Sequence, residues 1–190
     1  MKIGFCGTMS VGKTTLVNAL RDLPQFESYD FRTERSKYLR DLGIPLNTDS
    51  TLKGQTVFLA ERAAELIQEN IITDRTVIDV MAFTSLAKSI PIYKSDAFED
   101  YAAHFIGDYD YIFYVSPKGV DIEDNGVREI DSEYRELVDF SIKKFLNRYN
   151  HRIKNLYVVE GPTHTRIETV VKALEGELSS NNKKLPYIYN

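Results

Sequence analysis

Apolar and polar positions along this chain switch repeatedly between a strand-like and a helix-like pattern. Lys2-Ile-Gly-Phe-Cys6 is a short apolar run that predicts a buried strand. Thr14 to Leu23 follows as a helix, with Leu16, Val17 and Leu20 on one face. Ser28 to Arg32 predicts a second strand, and Glu34 to Leu42 a short helix closed by Gly43 and Pro45. Thr51 to Asn70 predicts a long amphipathic helix whose buried stripe is Val57, Leu59, Ala60, Ala63, Ala64 and Ile67. A third strand, Asn70 to Thr73, runs into Asp74-Arg75, and helices are predicted over Val80–Ser89 and Ser95–Ile106. Tyr109 to Val115 is rich in aromatic and β-branched residues and predicts a fourth strand. After a polar loop, Ser116 to Asp131, come a helix over Ser132–Tyr149, a strand over Leu156–Glu160 and a last helix over Thr165–Leu178. Alternating strands and helices predict an α/β fold, a parallel sheet covered on both faces, with ligands at the carboxyl ends of its strands.

Composition narrows this little. The 190 residues suit one domain, expected over 1–178 with a tail over 179–190. A net charge of −4 disfavours nucleic acid as a partner, while leaving a local basic groove open. Cys6 has no partner for an internal disulfide, which fits a reducing, cytoplasmic location. No apolar run approaches the ~18 residues of a membrane span, and no signal peptide is expected ahead of the first strand.

The chemistry starts at Gly7-Thr8-Met9-Ser10-Val11-Gly12-Lys13-Thr14-Thr15. It fits the phosphate-loop pattern of glycine, four residues, then Gly-Lys-Ser/Thr, and it lies between a strand and a helix. In that setting the amides of Gly7, Ser10, Val11, Gly12 and Thr15 are expected to meet an anion at a helix N-terminus. Lys13 is expected to reach the β- and γ-phosphates, and Thr14 to offer a hydroxyl to Mg²⁺.

Further residues are expected near this loop. Asp74 ends the neighbouring strand, where it would orient Mg²⁺ or accept a hydroxyl proton, and Arg75 would bind phosphate. Asp79 either binds substrate or caps the next helix. Thr33-Glu34-Arg35 follows the second strand. It offers a carboxylate for an acceptor hydroxyl and an arginine for an anion, or simply an acidic helix start. Gln55 and Phe58 would bind a planar base by hydrogen bonding and stacking, or form an ordinary surface amide beside a core ring. Arg128, in the loop Asp124-Asn-Gly-Val-Arg128, would close over phosphates with help from Arg135, or belong to a solvated loop. Gly161 follows the last strand and would face the nucleotide base or form a plain turn.

Together these pieces resemble the nucleoside and nucleotide kinase branch of phosphate-loop proteins. The likeness is greatest to the AAA-domain family that includes the ribosylnicotinamide kinase domain of NadR-type proteins. The resemblance implies a three-layer fold with a five-stranded parallel sheet of order 2-3-1-4-5 and a short lid over about 116–131, around Arg128. It also implies ATP and Mg²⁺ as cosubstrates, with Glu34, Gln55, Asp74 and Arg75 lining an acceptor pocket. The expected activity is transfer of the γ-phosphoryl of Mg-ATP to a nucleoside or nucleoside monophosphate. A nucleoside-like molecule is the expected partner, with a homodimer as the assembly. Two alternatives stand beside it: a kinase acting on a hydroxyl in a polynucleotide, and a regulatory ATPase with no small acceptor. No guanine-specificity motif of the Asn-Lys-x-Asp kind occurs, which argues against a GTPase switch.

Overall fold

A computed structural model describes residues 1–33, 36–118 and 132–180. Five strands form one parallel sheet: β1 (Lys2–Cys6), β2 (Asp30–Arg32), β3 (Ile71–Asp74), β4 (Tyr111–Val115) and β5 (Leu156–Val159). Their order is β2-β3-β1-β4-β5, as the resemblance implied. The register sets Phe5 beside Asp74 on one side of β1 and Cys6 beside Tyr114 on the other. The C-terminal ends of the three middle strands therefore share one rim.

Helices cover both faces, giving three layers. On one face lie α1 (Lys13–Arg21) and the last helix; on the other lie those formed by the middle of the chain. In chain order the other helices are α2 (Ser36–Asp41), α3 (Leu52–Glu65), α4 (Val77–Leu86), α5 (Ile92–Ala102), α6 (Ser132–Arg148) and α7 (Thr163–Leu174), and α7 is the one packed beside α1. Strand side chains alternate between two cores. Ile3, Phe5, Phe113, Val115 and Tyr157 pack with Leu16, Leu20 and Val170 under α1 and α7. Cys6, Ile112 and Tyr114 pack with Met81, Val138 and Phe145 under α4 and α6. Phe113 stacks between Phe5 and Tyr157, at centroid distances of 5.2 and 5.5 Å, joining three adjacent strands. No helix among the described residues is long and apolar enough to cross a membrane.

Several helices depart from the sequence pattern: α5 starts at Ile92, behind Pro91, and not at Ser95, α7 ends at Leu174 and not Leu178, and α3 and α4 differ as well. The stripe expected on α3 is not its buried face: Ala60 and Ala64 are exposed, and Ile67, beyond the helix end, is 82% exposed. The buried positions are Gly54, Gln55, Leu59, Arg62 and Glu65. Arg62 Nη2 donates to Glu65 Oε1 at 2.6 Å, so two charges are paired inside, and burial holds the Glu65 carboxyl above its usual range against the pull of Arg62. Residues 66–70 turn the chain toward β3 instead of extending the helix. The start of α4 is also earlier than expected, at Val77, because Thr76 and Asp79 form a capping box.

Helices α5 and α6 are joined by a polar knot, buried at Glu99 and Tyr149 and exposed at Arg148, that makes a prediction. The Tyr149 hydroxyl donates to Glu99 Oε1 at 2.8 Å, and Arg148 pairs with the same oxygen at 2.8 Å. Burial, then the bond to Glu99, pushes the Tyr149 phenol up to about 12. The folded state thus favours the neutral phenol. That stability is complete below the ordinary tyrosine value of about 10 and is lost as pH rises through about 12. Tyr149→Phe is expected to cost about 1 kcal/mol at neutral pH and to flatten the fall in melting temperature between about pH 10 and 12. Thermal melts across that range check it; parallel pH profiles for both proteins would contradict it.

Candidate active site

The loop between β1 and α1 is built from backbone geometry that only certain residues tolerate. Gly7 runs so close to β4 that a Cβ would lie 2.6 Å from the Val115 carbonyl oxygen. Gly12 caps α1 at φ 80°, in the left-handed region, and Ser10 adopts φ 54°. Successive turns of this kind form an anion-binding concavity at the helix start. Lys13 Nζ donates to the carbonyls of Gly7 and Thr8, at 2.7 Å each, so the ammonium lies against the loop itself.

The end of β3 meets the start of α1. Thr14 Oγ1 donates to Asp74 Oδ2. Asp74 is 1% exposed, and its other carboxylate oxygen, Oδ1, is buried without a hydrogen-bond partner among the described residues. A hydroxyl and a carboxylate in contact, with one oxygen lacking a donor, suit a hard cation that takes few protein oxygens and keeps its waters. Thr14 and Asp74 thus fit Mg²⁺.

Arg75 comes next, with its backbone at φ 115°, a conformation that costs a non-glycine residue about 1–3 kcal/mol. Its amide donates to the Phe5 carbonyl at 3.0 Å, the last rung of the β1–β3 ladder. The guanidinium stacks over Phe83 at 4.9 Å and sits 3.6 Å from Asp79 Oδ1. Asp79 itself is turned wholly inward. Its Oδ2 accepts from the Thr76 amide at 2.8 Å and hydroxyl at 3.0 Å, and its Oδ1 accepts from the Gly7 amide at 3.1 Å. The capping alternative is therefore the one seen, with a tether to the phosphate loop that the sequence did not suggest.

Two more helices hold the loop from outside. The Thr8 hydroxyl donates to the Arg135 carbonyl of α6 at 2.9 Å, and Arg135 Nε donates to the Met9 carbonyl at 3.3 Å. Further along α6, Asp139 accepts from the Tyr114 hydroxyl at 2.6 Å and pairs with Lys143 at 2.7 Å, fixing the helix to β4. From α7, Arg166 Nη1 donates to the Val11 carbonyl, and Nε donates to the Gly161 carbonyl at 2.7 Å. Burial draws the Arg166 guanidinium below its usual value. Cys6, at the end of β1, is fully buried. Burial first, then the nearby Asp79, pushes its thiol well above the ordinary value, so it is not a nucleophile.

The structure thus brings Gly7, Ser10, Val11, Gly12, Lys13, Thr14, Asp74, Arg75 and Asp79 to one rim and joins Gly161 to it through Arg166. Thr15 is exposed on the first turn of α1. Gln55 is buried in the first turns of α3, with Phe58 half-buried against the core under α4. Glu34, Arg35 and Arg128, with most of the expected lid, lie outside the described residues. Sequence reasoning missed Arg166. Its signal was an arginine on the stripe that carries Val170 and Ala173, where an apolar residue belongs.

Sheet order, loop and strand-end carboxylate define a phosphate-loop α/β protein with the fold of nucleoside and nucleotide kinases. Residues 2–166 match the model of the AAA domain family, and the chain belongs to that family. It is similar in structure to deoxyadenosine kinase from M. mycoides with bound dCTP: 21% sequence identity, TM-score 0.66, covering 93% of this chain and 100% of that one. Thymidylate kinase from Candida albicans is similar at 15% identity and TM-score 0.67, with 92% and 91% covered. At such identities the likeness concerns the fold. No curated protein sequence matches this chain at a significant level.

Proposed function

We propose that this protein is a kinase that moves the γ-phosphoryl of Mg-ATP to a nucleoside or nucleoside monophosphate. The observation that carries the reading is the contact between the Thr14 hydroxyl and a buried Asp74 carboxylate with one unpartnered oxygen, at the lip of a phosphate loop. Bound Mg²⁺ would neutralise charge on the β- and γ-phosphoryl oxygens. Thr14 offers it a ligand, with Asp74 behind. Amides of Ser10, Val11, Gly12 and Thr15 and the Lys13 ammonium bind the phosphates, with Gly161 beside the base, while the Gly7 amide, expected to join them, is held by Asp79 instead. Arg75, pinned against Phe83, and Arg128 offset charge on the transferring group. Asp74 or Glu34 takes the acceptor proton, while Arg35, Gln55 and Phe58 hold the acceptor. Asp79 serves this pocket by holding Arg75 and Gly7 in place. The deoxyadenosine and thymidylate kinases of similar fold act on molecules of this class, which supports the choice.

Incubation with Mg-ATP and a panel of nucleosides, ribosylnicotinamide, nucleoside monophosphates and hydroxyl-ended DNA tests the reading. Phosphorylated product from a small acceptor is expected. A NadR-like assignment requires that ribosylnicotinamide be that acceptor. Product from the DNA alone, or ADP release indifferent to every acceptor, would replace this reading with one of its two alternatives.

A further inference from the structure

Arg166 is a costly residue to bury. It is 4% exposed, and its Nη2 has no hydrogen-bond partner among the described residues. What the fold gains is a two-pronged tie between segments far apart in the chain. Nε holds the Gly161 carbonyl, at the turn after β5, and Nη1 holds the Val11 carbonyl in the phosphate loop. A planar guanidinium can serve two carbonyls of different segments at fixed angles, which an ammonium on a flexible stem cannot. A Cβ on Gly12 would stand 3.3 Å from Nη1, so the loop is shaped around this group.

The geometry of the peptide unit turns that tie into a function. In a trans peptide the carbonyl and the next N–H lie in one plane and point in opposite directions. A donor that holds the Val11 carbonyl outward therefore aims the Gly12 N–H into the loop. We infer that Arg166 is a positioning residue that presets the Val11–Gly12 peptide so that the Gly12 amide meets the β-phosphate of a bound nucleotide. This rests on the reading of the loop as a nucleotide phosphate site.

The test compares ADP with AMP, because only ADP carries a β-phosphate. Calorimetry is run on the wild type, Lys13→Ala, Arg166→Lys and Arg166→Ala, with thermal melts to show that each is folded. The wild type is expected to bind ADP at least ~10-fold more tightly than AMP, and Lys13→Ala to lose most of that difference. Arg166→Lys loosens the hold on Gly161 for both nucleotides alike, and is expected to weaken ADP by ~10-fold more than AMP, a loss typical of one charge-assisted hydrogen bond. In ¹⁵N-labelled protein, the Gly12 amide signal should move downfield with ADP in the wild type and stay in place in Arg166→Lys. Equal weakening of ADP and AMP, or an unchanged ADP preference and Gly12 shift, would overturn the inference. Should Arg166→Ala not fold, Arg166→Lys decides alone. A wild type with no preference for ADP removes the phosphate-site reading, and the role of Arg166 falls with it.

Discussion

Asp74→Asn is expected to lower turnover by ~10²–10⁴-fold, the range for loss of a positioned general base, while ATP affinity stays within a few-fold. The amide keeps the shape of the side chain and can still accept the Thr14 hydroxyl. It loses the negative charge, and with it both the pull on a cation held by Thr14 and the capacity to take a proton. The affinity is expected to be spared because, on the proposed reading, loop amides and Lys13 would grip the phosphates and the carboxylate would not. Steady-state rates with nucleotide binding measured separately check the split. Near-normal turnover would remove Asp74 from the chemistry and leave Glu34 as the base.

Lys13→Ala is expected to lower turnover by ~10²–10³-fold, as for removal of one preorganised donor to developing charge, and to weaken ATP binding as well. The ammonium already lies at the loop, 2.7 Å from two of its carbonyls, so little reorganisation separates the free and bound positions. Its loss also strips two backbone carbonyls of their donor, which loosens the loop. Both kcat and KM for ATP should therefore move, in contrast with Asp74→Asn. Unchanged kinetics would overturn the phosphate-loop assignment.

What could be read from the sequence was whatever is written in consecutive residues. Gly7 to Thr15 carries its own geometry, and Asp74 follows an apolar strand whose neighbour in the sheet is β1. Both were legible for that reason. The inward face of α3 was not, because Gln55, Arg62 and Glu65 are polar residues that lie inside, with Arg62 and Glu65 paired to each other, and polarity in a sequence reads as exposure. Asp79 could be read as a ligand or as a helix cap, but not as a tether, since its acceptance of the Gly7 amide spans 72 positions. The hold of Arg166 on Val11 spans 155. Such contacts are products of the sheet order, and the chain has to be folded before they exist.

Cys6 has a practical consequence. It is the only thiol in the sequence, it is fully buried, and it stands one residue from the phosphate loop. A thiol reagent can reach it only through an opening of the fold, so its labelling rate reports how often that opening occurs. A ligand that binds the closed protein alone suppresses the opening in proportion to 1 + [L]/Kd. The unmodified protein therefore carries its own gauge of nucleotide affinity, readable by the slowing of a sulfhydryl reaction, before any acceptor has been found.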